Sequence, residues 1–537
     1  MSWIAQKCML AFGWRRALIM VLAGALAGLS MPPLFFLPAL YLALPLWVWC
    51  LDGAEKETGL KRLFGPAFHI GFGFGFGYFL VSLHWIGFAF LVEGGVGLVA
   101  MPFALVALCA VLAIYWGLAS ALAHLMWTNS WVRIVTLSVF VAGAEYVRAV
   151  LFTGFPFDLL GYALTANETM MQAASLIGIF GLTFVAAFSG FILALIWPAD
   201  ERALTTRLVP FFAVLGLLAM QLGYGQIRLD NSDISMRDDM RLRLVQPGIS
   251  QAQKWLPGNE LAILDRLISL SSSQSGPDNA GLLGITHVIW PEAALPFFLQ
   301  DYPLSLVRIA DMLPPGTTLL LGVPRSETSP LALRAEYNSI LALNSEGETM
   351  DRYDKTHLVP IGEYLPFQSF FSRFGVQQFV TGSRGWSAGE SRRLMQTPTT
   401  PPFLPLICYE AIFSGNIFAP DQPADRTEAQ FLLNLTNDAW FDNSIGPAQH
   451  FHHARLRAVE QGIPMVRVAN TGRSAVIDPL GRLTGVMEPG ESGIIDADMP
   501  ERLEGTLFAS YGNLPFWAIL LFGFLLSLLT HFFRKKS

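Results

Sequence analysis

Long apolar stretches separated by short polar connections occupy the first 224 residues, and one more apolar stretch lies near the end of the chain. A helix needs about 20 mostly apolar residues to cross a bilayer. The pattern therefore predicts eight transmembrane helices, at residues 15–31, 34–51, 66–92, 97–126, 131–150, 170–197, 207–224 and 514–533. The first two are short and are separated by two prolines, so we expect them to form a tight helical hairpin.

The basic pair Arg15 and Arg16 precedes the first apolar stretch, as it would in a cleaved signal peptide. More apolar stretches follow, however, and no convincing cleavage site comes before them. We therefore expect the first stretch to be a retained helix.

The pattern changes between residues 225 and 513, where short β-rich runs alternate with helical or loop stretches. The predicted strands cover residues 241–246, 287–290, 317–323, 339–343, 403–407, 431–435, 465–469 and 474–478, and the predicted helices include 259–274 and 446–462. This order is typical of a layered α/β domain. The predicted organisation is a domain of seven transmembrane helices at 1–224, an inserted α/β domain at 225–513, and an eighth helix with a basic tail at 514–537.

Composition agrees with a membrane protein that carries a water-soluble domain. Hydrophobic residues make up 53% of the chain, charged residues only 14%, and the mean hydropathy is +0.45. These values exclude a disordered or collagen-like chain. Most of the charge lies in residues 225–513, which hold 22 basic and 32 acidic residues. That acidic balance argues against a nucleic-acid partner.

The basic residues predict how the chain is oriented in the membrane. Short cytoplasmic segments retain Lys and Arg. On the side of the two termini the segments carry Lys7, Arg15, Arg16, Lys56, Lys61, Arg62, Arg133, Arg202, Arg207, Arg534, Lys535 and Lys536, whereas the short loops on the other side carry essentially Arg148 alone. Both termini are therefore expected in the cytoplasm and the inserted domain on the outside, which is the periplasm in a double-membrane bacterium.

Three reactive residues of the inserted domain follow β-rich runs: Glu292, Lys355 and Cys408. Strand ends are where an α/β sheet presents catalytic side chains. A cysteine attacks a carbonyl as its thiolate, so it needs a base and a cation, which a glutamate and a lysine can provide. From spacing alone a plain structural interpretation stays open, with Glu292 as a helix cap, Lys355 as a solvated cation and Cys408 as a small core residue.

Three motifs around these residues resemble those of the carbon–nitrogen hydrolase (nitrilase) superfamily. They are Trp-Pro-Glu-Ala-Ala-Leu-Pro from residue 290, Tyr-Asp-Lys-Thr-His-Leu-Val-Pro-Ile-Gly-Glu-Tyr-Leu-Pro from residue 353, and Ile-Cys-Tyr-Glu from residue 407. The run Asn-Leu-Thr-Asn-Asp-Ala-Trp-Phe from residue 434 is also similar to the family. With eight predicted spans around them, the resemblance is to the membrane branch, the bacterial apolipoprotein N-acyltransferases.

The resemblance implies an αββα sandwich and a role for each matching residue. Glu292 would be the general base, Lys355 the stabiliser of thiolate and oxyanion, and Cys408 the nucleophile. The supporting or substrate-binding residues would be Glu363, Tyr409, Glu410, Trp255, Trp440 and Asn437. No metal and no cofactor is implied. Residues 293–294 and 442–443 vary on the family theme, which leaves only substrate detail in doubt.

The reaction that the resemblance implies is a two-step acyl transfer. Cys408 would take an acyl chain from a phospholipid and pass it to the α-amino group of the diacylglyceryl-modified N-terminal cysteine of an apolipoprotein. The enzyme would lie in the bacterial inner membrane; the oligomeric state is left open, with a monomer as the expectation. One alternative is a membrane-tethered amidase that acts on a soluble amide with the same three residues. Another is a transporter or scaffold whose exported domain only binds. Its spans should carry buried ionisable residues, and Glu145 and Arg148 on one span could pair, but the sequence shows no chain of charges across the bilayer.

Three further features are given structural interpretations or left open. The glycine-rich run at residues 72–79 lies inside a predicted span and is expected to pack helices closely. His450, His452 and His453 lack a nearby cysteine or carboxylate that would complete a metal site, so packing or helix-surface roles are favoured. The aromatic segment 364–380 is either packed or a mobile flap over the lipid chain, and both interpretations stay open.

Overall fold

The computed structural model describes residues 2–59, 61–93, 96–197, 204–276, 281–328, 334–364, 385–442 and 444–534. The chain forms two compact units, a helical unit of Met1–Ser232 with Leu507–Ser537 and a sandwich unit of Asp233–Thr506. The boundaries predicted at 225 and 513 differ from these by a few residues, because one helix continues to Asp230 and another begins at Leu507. Most of the aromatic segment at 364–380 lies outside the described residues.

The helical unit is built from apolar helices joined by short connections. Its α-helices are Ser2–Leu10, Gly13–Gly28, Leu37–Asp52, Lys61–Phe64, Pro66–Ser82, Phe88–Glu93, Val96–Leu125, Val132–Val150, Glu168–Met171, Ala174–Phe191, Leu204–Asp230, Leu507–Tyr511 and Leu514–Arg534. Within the described residues, six segments are long and apolar enough to cross a membrane: Arg62–Ser82, Leu98–Leu125, Val132–Thr153, Ala174–Ile196, Thr205–Asp230 and Leu514–Phe533. They correspond to the third to eighth predicted spans.

The predicted count of eight spans is not confirmed, because the first two helices are short. They cover Gly13–Gly28 and Leu37–Asp52, 16 residues each. At a rise of about 1.5 Å per residue, such a helix is shorter than the hydrocarbon core of a bilayer. The turn between the two helices takes up residues that the hydropathy pattern had assigned to the spans.

The glycine-rich run brings helix Pro66–Ser82 into close contact with two neighbouring helices. A Cβ atom at Gly77 would lie 1.9 Å from the carbonyl oxygen of Val21, and one at Gly71 would lie 2.2 Å from that of Trp116. Only glycine leaves room for backbones at this distance. The packing role predicted for this run is therefore confirmed.

The predicted pairing of Glu145 with Arg148 is also present. Arg148 donates from Nη2 to Glu145 Oε2 at 2.8 Å, and both side chains are fully buried. Trp116 donates to the same carboxylate at 2.7 Å, and the Arg148 guanidinium also donates to the carbonyl of Phe157 at 2.9 Å. Buried charges that are paired and hydrogen-bonded in this way hold elements of the fold together.

The sandwich unit contains two β-sheets. Its strands are β1 Met236–Gln246, β2 His287–Trp290, β3 Thr318–Thr328, β4 Arg334–Leu343, β5 Thr349–Asp354, β6 Phe403–Ile407, β7 Phe431–Thr436, β8 Met465–Ala469, β9 Ser474–Ile477, β10 Leu483–Met487 and β11 Gly493–Pro500. One sheet has the order β11-β1-β2-β3-β4-β5 and the other β10-β9-β8-β7-β6. All eight predicted strands are present, and β5 corresponds to the β-rich run noted before Lys355. The sequence analysis missed β10 and β11, which are only half-buried and lack a continuous apolar run.

Side chains that alternate between the two faces of each sheet build an αββα arrangement, with helices on the two outer faces. Leu320 of β3 and Leu433 of β7 belong to one apolar core between the two sheets. The neighbouring Leu319 and Leu321 point to the other face of the first sheet, where they pack with helix Glu260–Ser271. Helix Gly446–Gln461 covers the outer face of the second sheet in the same way. A strand presents successive side chains to opposite faces, so buried strands of this kind fill two layers at once.

Candidate active site

The predicted nucleophile lies directly after a buried strand and has a strained backbone. Cys408 follows β6, opens the short 3-10 helix Cys408–Ile412, and has a φ of 51°. A residue other than glycine rarely adopts this left-handed conformation, and where it does the surroundings must hold it there. The side chain is partly exposed. The thiol is therefore presented at a sharp strand-to-helix turn.

Glu292 follows β2, on the other sheet, and is buried in a tight loop. Asn338 donates from Nδ2 to Glu292 Oε1 at 2.7 Å, and the carboxylate is 6% exposed. The adjacent strand passes so close that a Cβ at Gly322 would lie 2.6 Å from the Cα of Glu292. The loop geometry thus requires glycine at that position. The carboxylate is fixed by its neighbours rather than free to rotate.

Lys355 follows β5 and lies between two carboxylates. Its Nζ is 2.8 Å from Glu363 Oε1 and 3.8 Å from Glu292 Oε1, and the residue is 1% exposed. Glu363 is held in turn by the backbone N–H of Val359, which donates to Oε2 at 2.8 Å. A buried ammonium needs such partners to remain charged. Glu363, one of the predicted supporting residues, thus contacts the predicted lysine.

Burial and the neighbouring charges shift the pKa values of Cys408, Glu292 and Lys355. Burial raises the pKa of the Cys408 thiol, the Glu292 carboxylate raises it further, and Lys355 only partly offsets them. Burial also raises the pKa of Glu292, against the effect of Lys355. Burial alone would lower the pKa of Lys355, but Glu363, Glu292 and Cys408 outweigh it and raise that pKa. These shifts favour the protonated forms of Cys408 and Lys355 and make the Glu292 carboxylate more basic, which suits it to remove a proton.

Glu410 fastens the Lys355 segment to the turn that carries Cys408. Its Oε1 accepts hydrogen bonds from the hydroxyls of Tyr353 and Thr356 and from the backbone N–H groups of Thr356 and His357, at 2.9–3.0 Å. Its Oε2 accepts from the backbone N–H of Ile407 at 2.8 Å. The side chain is fully buried. One carboxylate thus links the loop after β5 to the end of β6, although the two strands belong to different sheets.

The Glu410→Gln variant should be less stable and less active. An amide has one acceptor oxygen, so either the Oε1 donors or the Ile407 N–H would face an NH₂ group. Leaving one buried donor unpaired costs about 1–3 kcal/mol. We expect a lower thermal midpoint together with at least a ~10-fold loss of the acyl transfer that the resemblance implies, since a 1 Å misplacement alone costs about 100-fold. The exposed Glu428→Gln provides a matched control, and an unchanged midpoint for Glu410→Gln would contradict the linking role.

The other supporting residues predicted from the sequence lie around this centre in different ways. Asn437 is buried, donates from Nδ2 to Gln251 Oε1 at 2.9 Å and accepts from Asn470 at 3.0 Å. Tyr409 is buried with its ring 5.0 Å from that of Phe413. Trp255 is 38% exposed and Trp440 is half-buried. Asn437 and Tyr409 therefore have mainly structural contacts, whereas the two tryptophans offer apolar surface to a ligand.

Sequence reasoning missed two residues next to Glu292. One is Asn338, which holds the carboxylate. The other is Lys254, whose Nζ donates to the backbone carbonyl of Glu292 at 3.3 Å and whose pKa burial lowers to about 8. The sequence signal for Lys254 was its position directly before Trp255, but a single lysine is normally expected to be exposed to solvent.

The histidines of helix Gly446–Gln461 are buried, so the helix-surface role considered for them is wrong. His450, His452 and His453 are 7%, 6% and 0% exposed. His450 lies against the backbone of Cys408, with Nε2 3.1 Å from its carbonyl oxygen. Within the ranges that the structure describes, no group of three or more His, Cys, Asp or Glu side chains is arranged to hold a metal.

Two family models match the chain, one for each unit. Residues 23–192 match the apolipoprotein N-acyltransferase N-terminal domain, and residues 242–506 match the carbon–nitrogen hydrolases. The second match covers the strands that carry Glu292, Lys355 and Cys408.

Curated relatives are similar over almost the whole length. An apolipoprotein N-acyltransferase of Rhodopseudomonas palustris is 41% identical over 520 residues, 96% of this chain and 95% of the relative. One of Bradyrhizobium diazoefficiens is 39% identical over 517 residues, 95% of this chain and 94% of the relative. Among solved structures, an amidase from Nesterenkonia sp. matches 50% of this chain and 93% of its own, with 18% identity and a TM-score of 0.33.

Proposed function

The chain belongs to the apolipoprotein N-acyltransferases, membrane enzymes of lipoprotein maturation, and we propose that it works through a Glu292–Lys355–Cys408 triad in a ping-pong reaction. The observation that carries this proposal is the geometry around Lys355, whose ammonium lies 3.8 Å from the Glu292 carboxylate and acts electrostatically on the Cys408 thiol. A base, a cation and a nucleophile together are what acyl transfer by a thiol requires.

The first half-reaction transfers an acyl chain from a phospholipid to the enzyme. Glu292 takes the proton of Cys408 as the sulfur attacks the ester carbonyl, and the tetrahedral oxyanion that forms is stabilised by the Lys355 ammonium. When the intermediate collapses, the carbon–oxygen bond of the ester breaks and Glu292 returns its proton to the departing alkoxide. The products are a lysophospholipid and an acyl thioester on Cys408.

The second half-reaction transfers the acyl chain to the acceptor. The neutral α-amino group of a diacylglyceryl-modified N-terminal cysteine attacks the thioester carbonyl, and Lys355 again faces the oxyanion. Glu292 takes a proton from the attacking nitrogen and gives it to the sulfur as the carbon–sulfur bond breaks. The amide product leaves, and the enzyme regains its thiol and its carboxylate.

A direct test is to detect the covalent intermediate. The purified full-length enzyme is incubated with phospholipid labelled in its acyl chain, quenched with acid and measured by intact mass and by peptide mapping. We expect a mass increase of one acyl group on Cys408, which disappears when a diacylated lipopeptide with a free amino group is added. Label on another residue, or loss of the label to water at the same rate without lipopeptide, would contradict this mechanism; the second result would favour an amidase-like hydrolase.

The membrane arrangement is part of the same proposal. We infer eight transmembrane helices, with the two 16-residue helices included, both termini in the cytoplasm and the sandwich unit on the outer side. The basic residues on the side of the termini support this orientation. Both substrates are anchored in a membrane, so a site held at the bilayer surface replaces a search in three dimensions by one in two.

Reporter fusions will test the orientation. A fusion after Ser232, beyond the end of helix Leu204–Asp230, should be active as an exported reporter, and a fusion after Ser537 as a cytoplasmic one. The physical reason is the excess of Lys and Arg on the side of the termini. A cytoplasmic signal at Ser232 would overturn the orientation, and signals on opposite sides at residue 12 and residue 537 would exclude an even number of spans.

A further inference from the structure

A buried network lies beneath the backbone of Cys408, on the side of the second sheet. The carbonyl oxygen of Cys408 is 3.1 Å from His450 Nε2 and 3.5 Å from Asn434 Nδ2. His450 is 7% exposed and Asn434 is fully buried. Two side chains from different elements therefore converge on one carbonyl group, that of the strained residue.

The His450 ring is fixed by a buried ion pair behind it. Its Nδ1 is 2.9 Å from Asp438 Oδ1, and Arg467 donates from Nη2 to Asp438 Oδ2 at 2.9 Å. The backbone of Gly472 passes so close to this carboxylate that a Cβ there would lie 2.2 Å from Asp438 Oδ2. Burial would raise the pKa of Asp438, but Arg467 and His450 outweigh it and lower that pKa to about 2.

Hydrogen-bond counting defines what His450 contributes. Nε2 faces the carbonyl oxygen of Cys408, which carries no hydrogen, so this nitrogen must donate. Nδ1 faces both Asp438 Oδ1 at 2.9 Å and Arg467 Nη2 at 3.3 Å. The ring acts as a rigid spacer that transmits the position of the Asp438–Arg467 pair to the Cys408 backbone.

The position of that carbonyl matters because the peptide group is planar. When the Cys408 carbonyl is held, the orientation of the Cα that bears the thiol and the direction of the Tyr409 N–H are held with it. The φ of 51° at Cys408 is unfavourable for a cysteine and would relax if nothing opposed it. Relaxation would turn Sγ away from the Glu292 and Lys355 side of the site.

We propose that His450 is a positioning residue for the nucleophile, which it holds in its reactive conformation through a hydrogen bond from Nε2 to the Cys408 carbonyl. The inference rests on the proposed function of Cys408 as the nucleophile. His450 touches neither substrate nor the reacting atoms, so its effect is on the rate of acylation and not on phospholipid binding.

Two substitutions separate this role from a purely structural one. The amide of His450→Gln can occupy the place of Nε2 and still donate to Cys408, whereas that of His450→Asn occupies the place of Nδ1 and donates only to Asp438. We expect His450→Asn to lower the single-turnover acylation rate about 100-fold, with the KM for phospholipid changed less than ~3-fold, because a displacement of about 1 Å costs that much. His450→Gln should keep the rate within ~10-fold of the unmodified enzyme.

The controls make the result decisive. His287→Gln removes a different buried histidine, hydrogen-bonded to Thr286 and Thr400, and should leave acylation within ~3-fold. Rates are compared below the thermal midpoint of every variant. If Asn is tolerated better than Gln, or if His287→Gln loses as much as His450→Asn, the positioning role is wrong. If His450→Asn does not fold, a loss of about 100-fold in His450→Gln alone overturns it. Failure to label Cys408 in the unmodified enzyme would instead overturn the proposed function.

Discussion

The Cys408→Ser variant should show no measurable acyl transfer, although its side chain differs by one atom. An alkoxide is much harder to form than a thiolate, and the surroundings of Cys408 already raise the pKa of the thiol. A carboxylate such as Glu292 has too little basicity to make up the difference. Removing the nucleophile of a covalent catalyst lowers turnover by a factor on the order of a million. The measurement is lipopeptide acylation by the purified variant, together with the mass of the protein after phospholipid is added.

The control for this prediction is Cys109→Ser, in the helical unit. Cys109 is buried in helix Val96–Leu125, so its replacement should leave acyl transfer nearly unchanged. A Cys408→Ala variant that folds and retains near-normal acyl transfer would show that another residue is the nucleophile. A stable ester on the serine of Cys408→Ser would support the assignment.

The Lys355→Arg variant should lose about 1,000-fold in acylation rate even though the positive charge is kept. The Lys355 ammonium is 2.8 Å from Glu363 and 3.8 Å from Glu292, in a place with almost no exposure. A planar guanidinium is larger and cannot place one compact charge beside both the sulfur and the oxyanion. Removal of one well-placed oxyanion donor typically costs 100- to 1,000-fold in rate.

The acylation rate and its pH profile distinguish this role from a long-range one. If Lys355 acted only through its net charge, Lys355→Arg would keep both the rate and the profile. The matched control is Lys56→Arg on the surface of the helical unit, which should change neither. A near-normal rate for Lys355→Arg would therefore contradict contact with the reacting atoms.

The sequence predicted those parts of the fold that depend on local pattern. Strand periodicity located every strand with a continuous apolar run. The strand ends located Glu292 and Cys408, because each follows a strand that pairs in parallel with a neighbour, β2 in one sheet and β6 in the other. The half-buried β10 and β11 lack such a run and were missed. The first two predicted spans were longer than the helices Gly13–Gly28 and Leu37–Asp52, because hydropathy does not show which apolar residues belong to the turn between them.

The contacts of the site depended on three-dimensional neighbours that no local pattern reveals. Glu410 was predicted as a supporting or substrate-binding residue, but the sequence did not reveal that its five donors come from two separate segments. His450 was given a packing or helix-surface role because no metal-ligand set was visible near it, and its partners, Asp438 and the Cys408 carbonyl, are 12 and 42 residues away in the chain. The resemblance to a family supplied the proposed triad, and the structure supplies the side chains that contact its members.

The raised pKa of Cys408 has a consequence for the durability of the enzyme. Disulfide exchange and oxidation to sulfenic acid both proceed through the thiolate. In the proposed mechanism Cys408 gives up its proton only to Glu292, at the moment of attack on an ester, and a thiol of raised pKa offers little thiolate to oxidants or to foreign disulfides between turnovers. On that mechanism, the surroundings that make the nucleophile dependent on its base also protect it from inactivation while it waits for substrate.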